Sequence, residues 1–157
     1  MNNLADFESA QRQAVISEAE SWIGTPFHHQ GRVKGRRGGV DCAMLLLEVF
    51  RGAGVITDDR TIPYYSQQWH LHRSDEKYLE MILAFGAREI TTPQPGDLAI
   101  WKVGRAFSHG AIVVLWPEII HAVVDPINAC VRDNALRSTL NLTKYPVKFF
   151  TPWRKAE

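Results

Sequence analysis

Cysteine is scarce in this sequence, two in 157 residues, so a disulfide-stapled scaffold is excluded, and Cys42 and Cys130 are read as free thiols because their contexts differ widely. Neither sign of charge prevails. Lys and Arg number 18 against 17 Asp and Glu, a net charge of +1, and nothing in those totals points to nucleic acid. No stretch reaches the roughly 20 apolar residues that a membrane span requires. The opening residues, MNNLADFESAQRQAV, lack a basic segment followed by an apolar run, so the expectation is a soluble chain made without a signal peptide. Repeats, low-complexity tracts and linkers are missing as well. What is present, 157 residues of which 45% are hydrophobic, suits one domain over 1–157 with a core of its own.

The apolar pattern changes character along the chain. Residues 7–23 place Ala14, Val15, Ala19 and Trp22 at helical spacing and end at Gly24-Thr25-Pro26, which predicts an amphipathic helix. Residues 28–40, HHQGRVKGRRGGV, carry too many glycines for an element interior and read as a surface loop, its cations Arg32, Lys34, Arg36 and Arg37 solvated. From Asp41 the run DCAMLLLEVFRGAG starts at an N-capping residue, stays apolar for about three turns and stops at glycines, which predicts a buried helix beginning at Cys42. Another helix is expected after Ser74, with Asp75 and Glu76 in its first turn and Tyr78, Ile82 and Phe85 on its core face. Beyond Pro95-Gly96 the segments DLAIWKV, HGAIVVLW, EIIHAVV, ACVRD and VKFFTPW are short, rich in Val, Ile and aromatics, and separated by turn residues; they read as antiparallel strands. Helices followed by strands make an α+β domain. Trp69, Trp101, Trp116 and Trp153 are assigned to core and cleft walls.

A thiol attacks as thiolate, and a cysteine at a helix start gains from unpaired amides and the positive end of the dipole, which lower its pKa. Cys42 occupies such a place, whereas Cys130 lies in a strand with no capping residue and reads as a buried thiol. A nucleophile of this kind needs a base, and the base needs a group to orient it. His109 opens one strand and His121 lies in the next, with Trp116-Pro117 as the turn between them, so a hairpin can bring the two rings together on one face. A satisfied core histidine is the plainer explanation of either alone; together with Cys42 they form a candidate triad.

Five blocks then carry a resemblance: Trp22-Ile23-Gly24-Thr25-Pro26-Phe27, Gly39-Val40-Asp41-Cys42, Gln94-Pro95-Gly96-Asp97-Leu98, Ser108-His109-Gly110-Ala111-Ile112-Val113 and Ile120-His121-Ala122. In that order they resemble the signature blocks of NlpC-type cell-wall cysteine peptidases. The resemblance implies a papain-like fold, with a helix bearing the cysteine packed on an antiparallel sheet of about five strands bearing the histidines. It also implies Cys42 as nucleophile, His109 as base and His121 as orienting residue, no cofactor or metal, and peptidoglycan stem peptides as substrate, often cut between D-glutamate and diaminopimelate. On the substrate side it points to Asp41, which can hold a free amine or simply cap the helix, and to Phe27, Ala43 and Ser108. Many family members have Ser-Gly where this chain has Ala43-Met44, and Tyr where it has Phe27, departures that bear on specificity. The stretches Ile62-Pro63-Tyr64-Tyr65-Ser66 and Trp69-His70-Leu71-His72-Arg73 resemble the subgroup of phage tails and gene-transfer particles. That subgroup implies tail proteins as partners and an enzyme carried to the cell wall by the particle.

Three rivals stand beside this reading. His28-His29 and His70-x-His72 raise a metal site, although no spacing matches a helical His-x3-His or paired-Cys motif. A non-enzymatic tail component would keep the fold with an idle thiol. A third would keep the fold and change the chemistry, to acyl transfer or to an amide outside the cell wall.

Overall fold

The computed structural model describes residues 3–57 and 76–153; the histidines at 70 and 72, Trp69 and the two stretches resembling the phage-tail subgroup lie outside the described residues. Helix α1 spans Asn3–Ser21 and buries Val15 and Ala19. It starts four residues before the apolar periodicity does, and its first turns leave Leu4 and Phe7 largely exposed. Arg12 anchors it to the rest of the molecule. The guanidinium donates to the Pro95 carbonyl and to Asp97 Oδ1, both at 2.9 Å, and stacks on Trp153 at 4.2 Å, so the Pro95-Gly96-Asp97 turn serves as the seat of α1.

The loop expected at 28–40 contains a two-stranded ribbon, β1 (Arg32–Val33) and β2 (Gly39–Val40), paired antiparallel. Gly39 is required there: a Cβ at this position would run into the Cβ of His28. Two of the four cations of the loop are held by helices, Arg32 by Glu48 at 2.6 Å and Lys34 by Glu18 at 2.8 Å, while Arg36 and Arg37 are exposed. Helix α2, Cys42–Gly52, follows with seven buried residues. It is the hub of the core, each fully buried large apolar side chain stabilising by roughly 1.5–3 kcal/mol.

Helix α3 spans Lys77–Ala84 and buries Tyr78 and Ile82. Asp75, expected in its first turn, is outside the described residues. Glu76 precedes the helix and makes no capping bond; its carboxylate instead accepts the Phe107 amide at 3.0 Å. The remaining elements are β3 (Arg88–Ile90), β4 (Leu98–Lys102), β5 (Phe107–Leu115), β6 (Glu118–Val123), β7 (Ala129–Asn134), a short 3-10 turn (Leu142–Lys144) and β8 (Val147–Thr151). They form a six-stranded antiparallel sheet in the order β3-β8-β4-β5-β6-β7. The five expected strands are all there, and the sixth, β3, is a three-residue strand that among the described residues pairs with β8 alone. Among the described residues three helices pack on one antiparallel sheet, which makes this an α+β domain.

Strand alternation divides the core in two. Leu98, Ile100, Ile112, Ile120 and Ala122 face α1, α2 and α3. Ala99, Trp101, Ala111, Val113 and Ile119 face the opposite side, packed on Ala135, Leu142 and Trp116. A sheet buried on both faces reads as continuous apolar runs, which is why AIVVL and IIHAV show little alternation.

Candidate active site

Asp41 opens α2 in an extended conformation. Its Oδ1 accepts the Ala43 and Met44 amides at 3.1 and 2.8 Å, two of the donors that a helix start leaves unpaired. Its Oδ2 accepts the Gln30 amide at 2.7 Å with His29 Nδ1 at 3.7 Å. One buried carboxylate therefore caps the helix and ties down the preceding loop. Asp41→Ala is expected to cost roughly 2 kcal/mol, the upper range for a lost cap. Asp41→Asn should fall between, because the amide oxygen still caps while its NH₂ faces the Gln30 N–H. Urea denaturation of the three proteins gives the order.

The cap sets Cys42 at the first helical position, half-buried. The ladder between β5 and β6 runs from Leu115 back to Ile112, opposite Ile120, and at the following positions of β5 the helix start takes over. The thiol of Cys42 donates to the Ser108 carbonyl at 3.5 Å, and the Gly110 amide also bonds the sulfur. Cys42 thus lies on the backbone that flanks His109.

From His109 a diagonal of side chains crosses three strands. His109 Nε2 and His121 Nδ1 are 2.9 Å apart, and His121 Nε2 is 2.9 Å from Asp133 Oδ2 on β7. His121 pairs in register with Val131, so Asp133 is its diagonal neighbour, within reach of a ring. Asp133 escaped the sequence analysis although its strand was recognised. The available signal was spacing, since 109, 121 and 133 recur every twelve residues. His121 is fully buried. Hydrogen bonding to His121 is the main cause that brings the Asp133 carboxyl down to about 2, so it is an acceptor at neutral pH. With one proton on each ring, the chain then has a single direction. His121 Nε2–H donates to Asp133, His109 Nε2–H donates to His121 Nδ1, and His109 Nδ1 carries the lone pair.

Trp101 backs this row, its ring 5.8 Å from that of His109 and 6.2 Å from that of Trp116. Ala43 and Met44 are buried in the helix-side core. Phe27 is half-buried, donates its amide to the Asn128 carbonyl at 3.2 Å and bridges to Val40. Ser108 Oγ donates to the Val103 carbonyl at 3.0 Å.

The electrostatics correct one expectation. Placement at a helix start predicts a lowered thiol pKa, yet burial, with the neighbouring Asp41 charge, pushes Cys42 up to about 12, against the opposing pull of the Gly110 and Cys42 amides and Tyr78. Burial, joined by His121 and opposed by Asp133, brings His109 down to about 3. The site therefore holds a neutral thiol and a neutral His109 imidazole. Cys130 is fully buried and its thiol is likewise pushed up to about 12 by burial.

A stability prediction follows from His109. An unfolded chain takes up the histidine proton as pH falls through about 6.5, while the folded chain refuses it down to about 3. The unfolded state binds more protons across that window, so this contribution is complete above 6.5 and is lost as pH falls towards 3. Urea midpoints should fall more steeply between pH 6.5 and 4 for the wild type than for His109→Gln, and parallel curves would refute the assignment.

Among the described residues no group of three His, Cys, Asp or Glu is arranged to hold a metal ion, and no helix is long and apolar enough to cross a membrane.

No family model and no curated protein sequence matches the chain. Solved structures do. The P60 domain of antigen MAP1204 from M. avium subspecies paratuberculosis superposes with a TM-score of 0.61 at 16% identity, covering 95% of this chain and 99% of that one. The NlpC/p60 domain of the peptidoglycan hydrolase SagA gives 0.56 at 19% identity, covering 87% and 96%. RipD from Mycobacterium tuberculosis, a non-catalytic NlpC/p60 domain protein adapted to peptidoglycan binding, gives 0.55 at 15% identity, covering 90% and 96%. Other matched structures are longer, and this chain spans 40% to 47% of three of them. The fold is that of NlpC/p60 domains, in agreement with the papain-like architecture expected from the sequence.

Proposed function

We propose that the chain is a cysteine hydrolase that cuts amide bonds in the peptide stems of peptidoglycan, with Cys42 as nucleophile, His109 as base and His121 as the residue that orients it. The observation that carries this reading is the unbroken row Asp133–His121–His109, two bonds of 2.9 Å, whose last member lies between Ser108 and Gly110, the two residues whose backbone bonds the Cys42 sulfur. In the mechanism, His109 Nδ1 accepts the thiol proton as the sulfur bonds to the amide carbonyl carbon. The oxyanion is held by backbone amides, that of Cys42 at the helix start foremost. His109 returns the proton to the amine as the C–N bond breaks, leaving a thioester. Water attacks the thioester, gives its proton to His109, and the C–S bond breaks to restore the thiol. His121 and Asp133 fix the tautomer throughout, and Asp133 offsets the charge that His109 acquires.

Substrate contact falls to Asp41, Phe27 and Ser108, because the Ala43 side chain faces the core. The bond between D-glutamate and diaminopimelate is our first choice. A role carried by phage tails rests on residues 62–66 and 69–73 of the sequence; co-sedimentation of the protein with tail particles from an induced lysogen tests it, and its absence from washed particles would sink it.

The test of the central reading is incubation of the protein and of Cys42→Ala with purified peptidoglycan and with tri- and tetrapeptide stems, following new free amines by mass spectrometry. Cysteine-dependent release names the bond. RipD gives a specific reason for a second reading, a module that binds wall peptides without cutting them. Binding to peptidoglycan that survives in Cys42→Ala, with no amine released by the wild type, would select it.

A further inference from the structure

We infer that Tyr78, carried by α3, is a positioning residue of the active site: its hydroxyl clamps Cys42 against β5 and sets the hydrogen bonding around the nucleophile. The inference deepens the proposed function and rests on Cys42 being the nucleophile. Two observations carry it. The Tyr78 hydroxyl donates to the Cys42 carbonyl at 2.8 Å, although the two residues belong to different helices and Tyr78 is itself 5% exposed. The strand has also made room for it. Gly110, the residue after His109, has no side chain where the Tyr78 hydroxyl lies, and a Cβ there would collide with that oxygen and with a Leu46 methyl.

The hydroxyl has one proton, given to the Cys42 carbonyl while the thiol is neutral; turned to the sulfur as the thiol ionises, it favours the thiolate. Glu76, two residues earlier, fastens this end of α3 to β5 through the Phe107 amide. Helix α3 is thus attached to the histidine strand at one point and to the cysteine helix at another, and Tyr78 sits at the junction. The ionisable groups around the thiol are Asp41, next to it in sequence, Tyr78 from α3, and His109 from β5, whose flanking backbone the sulfur touches. Of these, Tyr78 alone offers a neutral hydroxyl donor. A hydroxyl bound to a charged acceptor is a stronger interaction than one between neutral groups. Its loss therefore falls most heavily on the thiolate.

The experiment is the rate of alkylation of Cys42 by iodoacetamide as a function of pH, read by peptide mapping so that Cys130 is scored separately, in the full chain and in Tyr78→Phe. The substitution removes one oxygen and leaves the ring. Alkylation of Cys42 at pH 8 is expected to fall about tenfold, the size of one hydrogen bond to a charged group, with the whole rate–pH curve displaced to higher pH. Gly110→Ala, which pushes the hydroxyl away, should displace it in the same direction. Where wall hydrolysis is measured, kcat should fall and KM hold. A curve for Tyr78→Phe that superimposes on the wild type overturns the inference, whether or not the melting temperature changes, because a merely structural tyrosine would not move the thiol's titration. The alkylation readout needs no substrate, so failure of the cell-wall reading leaves this result interpretable.

Discussion

Replacing Cys42 with alanine is expected to abolish hydrolysis of peptide stems, a loss on the order of 10⁴-fold or more, since covalent catalysis ends when the nucleophile is gone and the remaining groups act as a unit with it. His109→Ala should be as damaging, because the Asp41 carboxylate, the other base beside the thiol, is committed to the Ala43, Met44 and Gln30 amides. His121→Ala should cost less, about 10²-fold, since His109 keeps its place on β5 but loses the partner of its Nε2. Asp133→Asn provides the sharper test of the proton chain. The amide can present an NH₂ to His121 Nε2, which favours the opposite tautomer and leaves His109 Nδ1 carrying the proton instead of the lone pair. The loss should therefore approach that of His121→Ala although a single atom has changed, as for the orienting acid of serine proteases. Steady-state kinetics on the four variants decides the matter: activity retained in Cys42→Ala would end the mechanism, and activity unchanged in Asp133→Asn would remove Asp133 from it. The pH profile has its own expectation. Between about 3 for His109 and about 12 for Cys42 the pair keeps one protonation state, so the acid limb of kcat/KM should lie below the 6.5 of a free imidazole.

The second large effect is on stability. Trp101 is 2% exposed, sits in β4 between β5 and β8 and fills the side of the sheet away from the helices. Trp101→Ala should destabilise by about 3–5 kcal/mol, the transfer and cavity cost of a large buried aromatic. That is a large share of the roughly 5–15 kcal/mol available to a domain. The urea midpoint should fall with the slope unchanged. Activity should fall too, beyond any unfolded fraction, because the cavity opens beside the His109 ring. Trp101→Phe, which keeps an aromatic plate behind His109, should recover most of both. Equal stability of Trp101→Ala and wild type would mean that this second core contributes little.

How much of this was legible in the sequence depends on how local each feature is. The Asp41 cap and the apolar run after it interact within a turn or two, so the helix bearing Cys42 could be read directly. His109 and His121 could be paired because two residues, Trp116 and Pro117, separate their strands and a short turn leaves few registers. The loop between β6 and β7 is longer, residues 124–128, and its register is settled by contacts from elsewhere. Pro26 bridges to Ala129, and the Cys130 amide donates to the Thr25 carbonyl at 2.8 Å. That distant strip of chain sets Asp133 diagonally across from His121, so the twelve-residue spacing alone could not have picked it out. The three residues of β3 carry too little pattern to announce a strand, and only β8 makes them one.

By itself, then, the sequence determined the class of the fold, the place of the thiol at a helix start and the pair of histidines on neighbouring strands, because capping, apolar periodicity and a two-residue turn all act over a few bonds. Tertiary structure alone decided the carboxylate that ends the row, the neutral state of the thiol and the tyrosine behind it. Burial is a sum over every element packed around an atom. The desolvation that overrides the helix start at Cys42, and the space at Gly110 that admits Tyr78, exist only once α2, α3 and β5 have met.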